Sequence, residues 1–107
     1  IGGDDFIVMF QSDDWEERCI SALRNFAAMM PSLLNEENRA RGCYISEDRR
    51  GQEMAYPFPT ISIGAVEVPA NSVTTHLEVS SAATNAKKQA KRESGNSFFV
   101  ERRNLFA

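Results

Sequence analysis

The residues with the clearest chemical potential stand at the start of the sequence, where Gly2 and Gly3 precede the paired carboxylates Asp4 and Asp5 and an apolar run opens at Phe6. Two glycines allow backbone to come close to a bound group, and the aspartates place hard oxygen donors beside it. Such a pair suits Mg or Mn. Magnesium takes a few oxygen ligands together with substrate phosphates, and in nucleotidyl transfer it offsets charge and aligns the attacking and leaving oxygens. The same residues also make an ordinary turn with solvated carboxylates, since glycine and aspartate dominate turns. A second group, Lys87, Lys88, Lys91 and Arg92, could gather phosphates or lie as a solvated basic helix face.

The remaining chemistry-bearing types suggest less. Cys19 and Cys43 have no C-x-x-C spacing, which points to reduced thiols in a cytoplasmic protein. His76 has no second His or Cys at ligand spacing and reads as solvent-facing. Trp15 and the Phe98-Phe99 pair belong to apolar patterns and read as core rather than as base-stacking surfaces. Asp48-Arg49-Arg50-Gly51 reads as a hairpin tip.

These groups need elements to hold them. The 107 residues, 42% hydrophobic and 25% charged, suit one soluble globular domain with a modest core. No apolar run reaches the roughly 20 residues of a membrane span. A net charge of -3 gives no general attraction for nucleic acid. The start carries no signal-peptide pattern, and an opening on Ile1-Gly2-Gly3 reads as a piece of a longer chain.

Phe6-Ile7-Val8-Met9-Phe10 reads as a buried strand. Asp13, with Glu16 three residues on, is placed to cap a helix whose Trp15, Cys19, Ala22, Leu23, Phe26, Ala27 and Met30 form a core stripe. Pro31 ends that helix or starts a short second one, and Gly42 closes the charged stretch from Glu36 to Arg41. Cys43 to Ile45 and Met54 to Phe58 suit a hairpin feeding a central strand over Thr60–Val66. Thr74 or Thr75 caps a helix with a small-residue face of Val79, Ala82, Ala83, Ala86 and Ala90. Ser94-Gly95-Asn96 ends it, Phe98-Phe99-Val100 forms a last strand, and residues 101–107 a tail. The sum is an α+β layout, with helices covering an antiparallel or mixed sheet.

Three segments, in order, resemble a known family. Gly2-Gly3-Asp4-Asp5-Phe6 looks like the signature of GGDEF domains, Thr60-Ile61-Ser62-Ile63-Gly64-Ala65 like their S-x-G strand, and Ala90-Lys91 with Gly95-Asn96 like their closing A-K-x-x-G-R-N. The chain therefore resembles the C-terminal part of a GGDEF domain, most like those of hybrid proteins that also carry an EAL phosphodiesterase domain. The resemblance implies a truncated nucleotidyl-cyclase, palm-like fold over residues 1–107. It also implies a bacterial signalling role, in which two GTP molecules held by a dimer are joined into cyclic di-GMP with Mg or Mn. On the matching positions it assigns GTP contact to Gly2, Gly3 and Lys91, and metal binding and catalysis to Asp4 and Asp5. Asp5 stands where glutamate is usual, and Gly95 stands where the family has an arginine.

In the family a second metal-binding aspartate, the guanine-reading residues and the inhibitory R-x-x-D site precede the signature. This stretch alone is therefore expected to be inactive, and to self-associate through surfaces that further strands would cover. An alternative implied role is a non-catalytic GTP-binding module regulating an attached EAL domain. The palm domain of the type III CRISPR large subunit also carries G-G-D-D, but Ser62-Ile63-Gly64 argues against that assignment.

Overall fold

A computed structural model of the chain describes residues 5–56, 58–72 and 74–103. Its elements, in chain order, are α1 (Trp15–Met29), a 3-10 turn (Met30–Leu33), α2 (Glu36–Arg41), β1 (Tyr44–Glu47), β2 (Glu53–Tyr56), β3 (Ser62–Val66), α3 (His76–Lys91) and β4 (Ser97–Glu101). The class is α+β, as the sequence pattern suggests.

The best-packed unit is β3-α3-β4. β3 and β4 pair in parallel, with Gly64 opposite Phe99, and α3 is the crossover between them. Helix α3 begins where Thr75 accepts a hydrogen bond from the Glu78 amide at 3.2 Å, the second of the two expected caps. Glu78 in turn receives the Thr74 hydroxyl at 2.9 Å. The alanine face is also as expected: Ala82, Ala86 and Ala90 are buried, with Val79 and Ala83 partly so.

Such small side chains bring helix and strand backbones together, and Gly64 completes the fit. A Cβ on Gly64 would lie 2.2 Å from the Lys87 amide nitrogen and 2.3 Å from the Ala86 carbonyl carbon, closer than real Cβ atoms come. Only glycine fits there without moving the helix.

The parallel pair is stitched at its entrance. Asn96 accepts the Ile61 amide hydrogen at 2.8 Å, and the Ser97 amide donates to the Ile61 carbonyl at 3.1 Å. The Ser97 hydroxyl lies within reach of the Ser62 hydroxyl and the Ala90 carbonyl. Gly95, at φ +81°, takes the left-handed turn that lets the chain leave α3 and enter β4.

Elsewhere the structure departs from the sequence reading. Residues 6–10 pair with no strand among the described residues, and Phe6, Ile7, Val8 and Met9 are 69–89% exposed rather than buried. An apolar, β-branched run has the propensity of a strand but becomes one only on a ladder. Helix α1 starts one residue later than expected, at N-cap Asp14 without a side-chain cap; the Asp14 carboxylate instead receives Arg18 at 2.9 Å. Its expected core stripe is only partly covered: Cys19 is buried, Trp15, Leu23, Phe26 and Met30 are half-buried, and Ala22 and Ala27 are exposed. Helix α2 has a complete frame, with Asn35 accepting from the Asn38 amide at 2.8 Å and Gly42 at φ +83° closing it.

The hairpin β1-β2 forms, with the Asp48 side chain receiving the Arg50 and Gln52 amides at 2.8 and 2.9 Å. It does not feed a central strand. Two separate two-stranded sheets replace the single expected sheet. The radius of gyration is 17.2 Å, where a compact chain of this length would have about 13 Å. Few side chains are covered: among the described residues, Cys19, Ala82, Ala86 and Ala90 are the buried apolar ones.

Candidate functional site

Helix α3 holds the candidate site. Its Gly64 contact falls at Ala86 and Lys87, so helix backbone meets strand backbone directly at the level where the Lys87 side chain departs. Lys91 follows one turn later on the same side, the i, i+4 relation that places two helical side chains together. Both approach one carboxylate. The Lys87 ammonium lies 3.2 Å from Asp5 Oδ2 and the Lys91 ammonium 4.0 Å from Asp5 Oδ1. Asp5 and Lys87 are about one-third exposed and Lys91 more so, at 33%, 34% and 57%.

The structure therefore joins two of the expected site residues, Asp5 and Lys91, from opposite ends of the chain. It adds Lys87, which the sequence placed in a basic run with no distinguishing motif. The visible signal was the four-residue spacing of Lys87 and Lys91; nothing in the sequence told that this helix face meets Asp5. Gly2, Gly3 and Asp4, expected to contact GTP or metal, lie outside the described residues. Asn96 was noted only as part of a helix-end motif, and it ties β3 to β4.

Electrostatically the site is an anion locus whose anion is internal. Two ammonium groups converge on a single carboxylate, which suits a phosphate and opposes a cation. While both lysines face it, the Asp5 carboxylate is already paired, which opposes a cation at that position. Among the described residues no group of three His, Cys, Asp or Glu side chains forms a metal cluster.

Other ionic features are local. Arg102 at the end of β4 bonds Glu16 of α1, and this pair links that helix to the sheet. Arg103 grips Glu101 through two side-chain bonds at 2.9 and 2.8 Å, which hold the carboxyl down at about 2. Burial raises the Cys19 thiol above its ordinary value, with Glu16 adding to the effect, so its thiolate is disfavoured. Both cysteines are free. Among the described residues, no helix is long and apolar enough to cross a membrane.

Comparison of the chain with known protein families, with curated proteins and with solved structures finds no match to any of them.

Proposed function

We propose that this chain is the C-terminal portion of a GGDEF-type domain acting in cyclic di-GMP signalling, and that α3 forms the wall of its GTP site facing the phosphates. The observation that supports this most directly is the meeting of Asp5, from the signature-like segment, with Lys91, from the A-K segment. The third segment belongs to the same unit: Gly64 seats α3, and Asn96 fixes the start of β4 against β3. Asp5 of the first stretch thus meets a unit built from the other two.

In this reading Lys91 binds GTP phosphates and Gly2 and Gly3 lie against the nucleotide. Mg, in the complete domain, falls to Asp4, with chemistry limited to charge neutralisation and alignment of the reacting oxygens. Asp5 pairs with the lysines when no nucleotide is bound. The fold would be the palm-like cyclase fold lacking its first half, in a cytoplasmic protein that dimerises.

Asp5 favours a second reading. Its carboxylate is one methylene shorter than the usual glutamate and is already paired, which weakens the catalytic assignment and suits a GTP-binding module that regulates an attached EAL phosphodiesterase without turning GTP over.

The test uses the full polypeptide containing this chain, with GTP and Mg, read by chromatography for cyclic di-GMP and by GTP-dependent hydrolysis of added cyclic di-GMP. Product formation that is lost with Lys91→Ala supports the cyclase reading. GTP-stimulated hydrolysis without product supports the regulatory one. If neither occurs and no GTP binds, the assignment fails. Residues 1–107 alone should form no cyclic di-GMP.

A further inference from the structure

We infer that Lys87, together with Lys91, forms a two-lysine seat for the phosphoryl groups of a nucleotide, and that Asp5 is the internal counter-ion which an incoming phosphate displaces. The inference rests on the proposed nucleotide site and names a residue and an exchange that this reading does not contain.

Three observations carry it. First, Lys87 is the nearer of the two lysines to Asp5, at 3.2 Å against 4.0 Å, and the more covered, at 34% against 57% exposure. An ordinary solvated lysine would not be the better-held member of the pair. Second, Lys87 leaves α3 where Gly64 brings the helix hardest against β3; its amide nitrogen is the atom nearest a hypothetical Gly64 Cβ. Its stem therefore starts from a fixed point. Third, Lys88 and Arg92 form no ion pair with Asp5, although they lie in the same basic run. Lys88 and Arg92 have the same i, i+4 spacing on the neighbouring face, so it is the face of α3 turned to Asp5 that selects Lys87 and Lys91.

A carboxylate held by two ammonium groups resembles a bound phosphate in charge and in acceptor oxygens. A phosphate carries more charge and three acceptors, so it competes for both lysines at once. Asp5 then acts as a resident competitor: it keeps the cations together when no nucleotide is bound and lowers apparent affinity by the free energy of the pairs it must give up.

Inorganic tripolyphosphate, titrated into residues 1–107 by calorimetry at low salt, is the direct probe. Lys87→Gln and Lys91→Gln should each weaken binding by about two- to fivefold, in line with what exposed ion pairs contribute. Lys88→Gln should change it less than twofold. Asp5→Asn should tighten binding by about three- to tenfold, whereas Glu36→Gln, which removes equal charge from α2, should not. Circular dichroism melts of each variant check folding.

If Lys87→Gln weakens binding no more than Lys88→Gln, or Asp5→Asn no more than Glu36→Gln improves it, the inference is wrong. Loss confined to Lys91→Gln would sink it while leaving the proposed function intact. Tripolyphosphate binding with the expected variant pattern but no displacement by GTP would instead remove the nucleotide reading and keep the lysine seat. Absence of binding by both wild type and Asp5→Asn overturns the inference.

Discussion

Replacing Gly64 by alanine tests the geometry on which the site depends. The added Cβ would lie 2.2, 2.3 and 2.6 Å from backbone atoms of Ala86 and Lys87, where ordinary contact begins at 3.4 Å. The obstacle is helix backbone rather than a flexible side chain, so α3 must withdraw from β3 by about 1 Å. Overpacking of this kind costs about 1–3 kcal/mol. A gap of 0.5–1 Å also forfeits roughly a quarter to a half of each dispersion contact along the Ala82, Ala86 and Ala90 face.

A total of about 2–4 kcal/mol follows, against a folding stability of about 5 kcal/mol for a chain of this length at the low end of the usual range. Urea unfolding followed by circular dichroism should show the midpoint fall by roughly half or more. Ala86→Gly should not rescue the variant, because the clash is with backbone. Gly42→Ala calibrates a different cost: at φ +83° with nothing within 4 Å, it pays only for a left-handed alanine, about 1 kcal/mol. An unchanged midpoint for Gly64→Ala, or rescue by Ala86→Gly, would refute the close-approach argument.

Three further outcomes are expected. Asn96→Ala leaves the Ile61 amide without its 2.8 Å acceptor and should cost about 1–2 kcal/mol, with faster hydrogen exchange at Ile61; Asn96→Asp, which keeps an acceptor oxygen, should cost less. The Glu101 carboxyl, lowered from 4.5 to about 2 by Arg103, contributes stability that is present above pH 4.5 and lost as pH falls towards 2. NMR titration should show that low midpoint, and Arg103→Gln should return it towards 4.5. The exposed run from Phe6 to Met9 should drive self-association, visible as a concentration-dependent sedimentation coefficient that Ile7→Lys with Met9→Lys diminishes; a monodisperse wild-type monomer at high concentration would contradict it.

What the sequence revealed depended on how local the signal was. The alanine periodicity of α3, its threonine cap and the turn glycines act within a few residues, and the structure has them where the pattern puts them. The parallel pairing of β3 with β4 and the split into two small sheets depend on contacts far apart in the chain, which no periodicity encodes. Phe6 to Phe10 has strand propensity, but propensity supplies no partner. Asp13 and Asp14 are equivalent candidates by type, and the choice fell to Asp14 with Arg18 at i+4 taking its carboxylate. At the site, Asp5 and Lys91 were legible as candidates through the resemblance. Their meeting, and the part of Lys87 in it, required α3 to be seated by Gly64 first.

The exchange at Asp5 also bears on which of the two proposed roles fits the chain. The pairs are partly exposed, with the Asp5, Lys87 and Lys91 side chains at 33%, 34% and 57%, so each contributes about 1 kcal/mol or less. Two ammonium groups at 3.2 and 4.0 Å from the Asp5 carboxylate therefore oppose a cation there only modestly, and only while they remain. Phosphate groups draw the same two lysines, so nucleotide binding satisfies the site without requiring anything further of Asp5. On the proposed reading, the pairing of Asp5 with Lys87 and Lys91 suits the binding of a nucleotide, and release of Asp5 by that nucleotide would leave its carboxylate free for a metal in the cyclase role.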